Sequence, residues 1–298
     1  MDRDRRLGHV AALFTIFVWG TTFISTKVLL TSFEPVEILF IRFALGFVAL
    51  WVACPRRLKV GDWKREGTFC LAGLSGVCLY YLLENIALTY TQASNVGVII
   101  SVAPVFTAIL THLFFKGEER LRPSFFCGFL VAMAGICLIS FNGARLALAP
   151  LGDLLALGAA LVWACYAVLT RVLGGYGYGT VQTTRRVFGY GLLFMLPALL
   201  LFPIKMELDR FFSGVNLLNL LFLGFGASAL CFVTWNHAVK VLGAVRTSVY
   251  IYLVPVITVV TSVAVLYESV TPVALAGTGL ILVGLFLSEW NPRQKQTA

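Results

Sequence analysis

Glu84 sits in "LYYLLENIALTYTQASN" (79–95), inside a run otherwise fit for a membrane interior, and a carboxylate there invites chemical questions. It could take up and release a proton, hold a substrate ammonium, or close a structural ion pair with Arg42 or Arg186. A charge at the bilayer centre costs roughly 2.5 to 3.5 kcal/mol on insertion scales, so such residues face a cavity or a partner. Arg42 and Arg186 also interrupt apolar runs. Their planar guanidinium groups suit two-pronged binding of a carboxylate, or they brace helix ends. Arg42 reads first as structural; Gln182 and Arg185 make the surroundings of Arg186 polar and favour substrate contact there.

Trp19 and Trp163 lie midway along apolar runs rather than at the ends, where membrane tryptophans usually gather. They could wall a cavity, with Tyr80, Tyr81, Tyr166, Trp235 and Tyr250 as further lining. Asn85 and Asn236 carry amides that either bond across helices or touch substrate. His112 and His237 are isolated, without the spacing of a metal site, so no metal and no cofactor is expected.

These residues need helices long enough to cross a bilayer. Hydrophobic residues are 59% of the 298, charged ones 12%, and mean hydropathy is +0.89. That excludes an ordinary soluble domain. Spans are expected near 7–29, 34–53, 66–90, 95–115, 121–140, 151–170, 180–202, 214–239, 245–266 and 271–290. Alternate connections hold most of the basic residues: Arg3, Arg5, Arg6, Arg56, Arg57, Lys59, Lys64, Arg65, Lys116, Arg120, Arg122, Arg171, Lys240, Arg246, Arg293 and Lys295. Arg145, Lys205 and Arg210 are on the other side, so both termini are expected in the cytoplasm. The net charge of +9 is thereby a topology signal, and no nucleic-acid partner is expected. The seven cysteines form no CxxC pair and read as small apolar residues. The first span is kept as a helix and not read as a cleaved leader.

The chain is written twice. "VWGTTFISTKVL" (18–29) matches "VWACYAVLTRVL" (162–173) at an offset of 144, which also lays Arg42 on Arg186. "NIALTYTQASNVGVIISVAPVFT" from Asn85 matches "NHAVKVLGAVRTSVYIYLVPVIT" from Asn236 at an offset of 151, pairing Pro104 with Pro255 and Glu84 with Trp235. Five spans per half is an odd number, so the halves (1–145 and 146–298) should be oppositely oriented. The expected fold is an all-α membrane protein, ten transmembrane helices as two inverted five-helix repeats. Such repeats hold substrate between the halves and rock about it. Pro104 and Pro255 should kink their spans mid-way and help shape a cavity. Gly128, Ala132, Gly135, Gly277 and Gly284 give small faces suited to close packing or to a homodimer.

In "FVWGTTFISTK", "IRFALGFVAL" and the stretch from "ENIALTYTQ" to "GICLI", the chain resembles the EamA family of the drug/metabolite transporter superfamily. The resemblance implies a ten-helix carrier of the bacterial cytoplasmic (inner) membrane that exports amino acids or other small metabolites. The second half departs from the pattern where Glu268 stands opposite Glu118 and Glu119. Protons are a candidate coupling ion through Glu84. Multidrug or toxic-compound efflux on the same scaffold stays open, as do a membrane-embedded enzyme and a receptor without flux. No Walker loop, GxSxG or HExxH supports ATP hydrolysis or catalysis.

Overall fold

Proline and acidic residues start the helices. Pro35, Pro123, Pro150 and Pro272 each open one, where the missing N–H removes no bond and the fixed φ suits the first turn. Glu37 adds a carboxylate that accepts from the Glu34 N–H at 2.8 Å, and Asp62 caps the next helix by accepting from the Lys64 N–H at 3.0 Å.

The computed structural model describes residues 3–90, 96, 99–115, 123–140, 150–201, 207–257, 260–261 and 272–289. Every regular element among them is helical. The first group is α1 (Arg3–Leu29), α2 (Pro35–Ala53), α3 (Trp63–Gly73), α4 (Tyr80–Tyr90), α5 (Ala103–Phe114) and α6 (Pro123–Ser140). The second is α7 (Pro150–Gly175), α8 (Thr180–Leu201), α9 (Gly214–Leu221), α10 (Cys231–Leu242), α11 (Ala244–Val249) and α12 (Pro272–Glu289). A π-helical stretch, Leu74–Leu79, joins α3 to α4, and another, Phe222–Leu230, joins α9 to α10. Glu118, Glu119 and Glu268 fall outside the described residues, as do Lys116, Arg120, Arg122, Arg145, Lys205, Arg293 and Lys295.

Among the described residues five helical stretches are long and apolar enough to cross a membrane: Pro35–Ala53, Trp63–Ala87, Pro150–Gly175, Thr180–Leu201 and Gly214–Leu242. Their outer faces stay apolar, with Val48, Leu157, Leu193 and Leu218 exposed. Lipid, not water, suits such a surface. Inward, Phe43, Phe188 and Phe232 meet with ring centroids 4.9 to 5.5 Å apart.

Close approaches use glycine. A Cβ on Gly128 would stand 2.5 Å from the Gly284 carbonyl oxygen, and one on Gly135 would stand 2.5 Å from that of Gly277. The small faces therefore join α6 to α12 within one chain. Gly243, at φ 89°, ends α10 in a conformation that side chains resist.

The two prolines do not sit inside continuous helices. Pro104 lies in the first turn of α5, just after a turn at Ser101 and Val102. Pro255 follows a 3₁₀ stretch, Tyr250–Leu253. The α-helical ladder is interrupted before each proline, by a turn in the first case and by 3₁₀ winding in the second, and resumes one residue ahead of it, because the ring cannot donate to the preceding turn but fits a first turn well.

Candidate functional site

Three tryptophans from three helices meet in the middle of the bundle. Trp19 of α1 lies 5.4 Å from Trp163 of α7 and 5.1 Å from Trp235 of α10, ring centroid to centroid, and Trp163 lies 5.9 Å from Trp235. Tyr80 stacks on Trp163 at 4.9 Å, and Tyr166 at 5.3 Å. The Trp19 indole N–H donates to the Ala227 carbonyl at 2.9 Å, inside the second π stretch. A π turn loosens the ladder of backbone bonds, and carbonyls there take outside donors. The indole N–H groups of Trp163 and Trp235 are buried without a hydrogen-bond partner among the described residues. Buried donors left unpaired are costly and therefore uncommon.

Beside this box lie opposite charges. Glu84 is buried and hydrogen-bonded to the Tyr80 side chain, with Arg42 in electrostatic reach. Arg42, also buried, donates from Nε to Ser228 Oγ at 2.9 Å and faces the rings of Tyr81 and Phe43 at 5.1 and 5.5 Å. Of the two arginines considered for Glu84, the nearby one is Arg42. The chemistry of such a pair is plain: a proton or an ammonium at Glu84, a carboxylate at Arg42.

Arg186 goes elsewhere. Its Nε and one Nη meet Glu66 Oε1 and Oε2 at 2.8 and 2.6 Å, and its other Nη donates to the Leu58 carbonyl at 2.9 Å. Tyr190 hydrogen-bonds the same Glu66. Arg185 donates to the carbonyls of Cys54 and Arg56. Gln182, Arg185 and Arg186 thus clamp the loop after α2.

Asn236 ties three helices: Tyr166 Oη donates to its Oδ1 at 2.8 Å, and its Nδ2 donates to Thr184 Oγ1 at 2.9 Å. Asn85, its repeat partner, is half-buried in α4. Tyr250 pairs with His9 Nδ1 at 2.6 Å instead of joining the aromatic box. No group of His, Cys, Asp or Glu that could hold a metal occurs among the described residues.

As the Glu66 partner of Arg186 escaped sequence reasoning, so did a second pair. Arg210 meets both carboxylate oxygens of Glu37 at 2.8 and 2.6 Å and donates to the Ser32 carbonyl at 3.1 Å. Glu37 and other nearby acids hold the Arg210 guanidinium above its ordinary pKa. An acid in the first turn of an apolar span was the visible signal.

Helical spans with an apolar exterior and a charged, aromatic centre define an integral membrane protein of the transport type. Comparison with known proteins agrees: the EamA-like transporter family matches residues 6–141 and again 150–290, and the chain belongs to that family. It is a membrane transporter and not an enzyme, and the family implies a small-molecule substrate. An uncharacterized transporter of Archaeoglobus fulgidus is 28% identical over 96% of this chain and 98% of its own. A probable terminal-alkyne amino-acid exporter of Streptantibioticus cattleyicolor is 27% identical over 93% and 91%. A probable amino-acid metabolite efflux pump of Salmonella typhimurium is 26% identical over 96% of each. A crystal structure with 21% identity superposes at a TM-score of 0.78, covering 94% of this chain and 97% of the other, and shares the fold.

Proposed function

We propose that the chain is a secondary transporter exporting small amphipathic metabolites, amino acids or related compounds, across the bacterial inner membrane by alternating access. In this reading ten spans form two inverted five-helix halves, 1–145 and 146–298, and both termini are cytoplasmic. The observation that carries it is the meeting of Trp19 from one half with Trp163 and Trp235 from the other, with Tyr80 linking Trp163 to Glu84 and its neighbour Arg42.

Three further observations support it. The family model matches the two halves separately. α1 packs on α10 as α7 packs on α4, and α2 on the second π stretch as α8 on the first, the exchange expected of related halves. Two relatives carry names that include amino-acid export or efflux. The zwitterion logic follows: Glu84 takes an ammonium or a proton, Arg42 a carboxylate, and the two unpaired indole N–H groups offer donors to the cargo. Asn236 and Tyr166 hold the box in place, and Asn85 is open to cargo. Arg186 has no part in the central pocket, and the breaks at Pro104 and Pro255 let α5 and its counterpart tilt.

Counterflow of labelled amino acids into proteoliposomes tests the reading, with Glu84→Gln as the diagnostic variant. Its transport should lose most of its dependence on pH while the protein still folds; full transport with unchanged pH dependence would remove Glu84 from coupling. The aromatic walls also suit lipophilic cations. Broad competition by such cations, with no amino-acid counterflow, would turn the reading to multidrug efflux.

A further inference from the structure

Two ion pairs outside the aromatic box are built alike at opposite ends of α2. Glu37 stands in the first turn of α2 and holds Arg210 of the 3₁₀ turn Asp209–Phe211, which leads towards α9. Glu66 stands in the first turn of α3, just past the loop that leaves the far end of α2, and holds Arg186 in α8. Both are two-pronged, with the closer contact at 2.6 Å in each. In each the arginine gives a further N–H to a loop carbonyl, Ser32 at 3.1 Å or Leu58 at 2.9 Å. In each it also faces a phenylalanine ring, Phe33 at 4.5 Å or Phe69 at 5.7 Å.

Their places are related by the repeat. Shifting α2 by 144 brings it onto α8, and shifting α3 by 151 brings it onto α9. Element for element, the pair between α2 and the entry to α9 therefore corresponds to the pair between α8 and α3, although the residues themselves do not align: Glu37 falls on Val181, and Arg186 on Arg42. Each joins a residue of the first family match to a residue of the second. We propose that Glu37–Arg210 and Glu66–Arg186 are the two latches of the transport path, one closing each end and each released when the halves part there. The inference rests on the alternating-access reading above.

The physics suits a latch. A two-pronged charge pair is short-ranged and directional, so parting the halves by a few ångströms breaks both contacts together. With both pairs closed, Trp163 and Trp235 are buried, as an occluded state requires. The ends differ in cost of release. The Glu66 and Arg186 side chains are 26% and 31% exposed and water can take over their contacts; Glu37 and Arg210 are 4% and 8% exposed and must be wetted first. The end at Glu66 is then the readier to open.

Cys231, fully buried next to Phe232, is a built-in reporter. The full chain, with its other six cysteines changed to serine, is placed in oriented membranes and treated with an impermeant thiol reagent from either face. Glu66→Gln should raise labelling from the face of loop 54–62 roughly tenfold, within the usual range of two-state coupling, and Glu37→Gln should do so from the opposite face. Exchanging the charges (Glu66→Arg with Arg186→Glu, and Glu37→Arg with Arg210→Glu) should restore slow labelling. Arg210→Lys keeps the charge but loses the two-pronged contact, and should act like Glu37→Gln if that variant fails to fold. Unchanged rates, or equal rises from both faces, would overturn the latches. If the wild-type Cys231 is never reached from either face, with or without substrate, alternating access itself fails instead.

Discussion

The stretches Trp63–Ala87 and Gly214–Leu242 share a backbone device and divide the chemistry. Shifted by 151, Gly73–Asn85 falls on Gly224–Asn236, and both stretches wind through a π turn. In the first, the wide turn leaves room at Gly76 for the Tyr166 ring, and Tyr80, Tyr81 and Glu84 follow. In the second, the turn presents the Ala227 carbonyl to Trp19 and the Ser228 hydroxyl to Arg42, and Phe232, Trp235 and Asn236 follow. Each turn is filled by a residue from the other half. A duplicated scaffold can thus keep its symmetry in the backbone, and an asparagine at the end of each stretch, and still place acid and phenols on one side and indole on the other.

The sharpest way to break the comparison is at Gly76. A Cβ there would stand 2.2 Å from the Tyr166 ring, which is fully buried and bonded to Asn236. Gly76→Val should cost about 3 kcal/mol, the upper range for overpacking, read as a lower melting temperature in detergent. A ring free to swing aside would leave the melting temperature near that of the wild type.

The paired asparagines come next. Asn236→Leu strips two hydrogen bonds and leaves the Tyr166 and Thr184 hydroxyl groups to find others, a loss of about 2 kcal/mol. Asn85→Leu, half-buried in α4, should stay within about 0.5 kcal/mol. Equal losses in thermal unfolding would show that both amides act as glue. Transport separates them too: Asn85→Leu should impair it with the fold intact, if that amide meets cargo.

How much of this could be read beforehand follows from which signals are local. Span positions rest on runs of apolar residues, and 34–53 and 180–202 anticipate α2 and α8 to within a residue. Trp19 and Trp163 were legible because their depth in the span follows from counting along it. The same count misled at Arg186. Its polar neighbours Gln182 and Arg185 looked like a cavity wall, but they sit where α8 starts and reach the loop carbonyls of Cys54 and Arg56, as Arg186 reaches that of Leu58. Only tertiary structure brings that loop there. The Glu37–Arg210 pair was hidden for the same reason, since the partners are 173 residues apart. The π turns left almost no trace, because one added residue per turn barely disturbs a run that is apolar on all sides.

The smallest effect completes the contrast between the two turns. Gly226 occupies the second π stretch as Ser75 occupies the first, and a Cβ on Gly226 would meet only the Phe222 ring, at 3.5 Å and 3.7 Å. That is ordinary contact. Alanine restricts the unfolded chain more than glycine, so Gly226→Ala should be neutral or stabilising by about half a kcal/mol. A clear loss on melting would mean that the second turn needs glycine for backbone freedom. Since Ser75 carries a side chain at the equivalent place in the first turn, the same loss would set the two turns apart in what they demand, while Gly76, which falls on Ala227, would still owe its place to the ring of Tyr166.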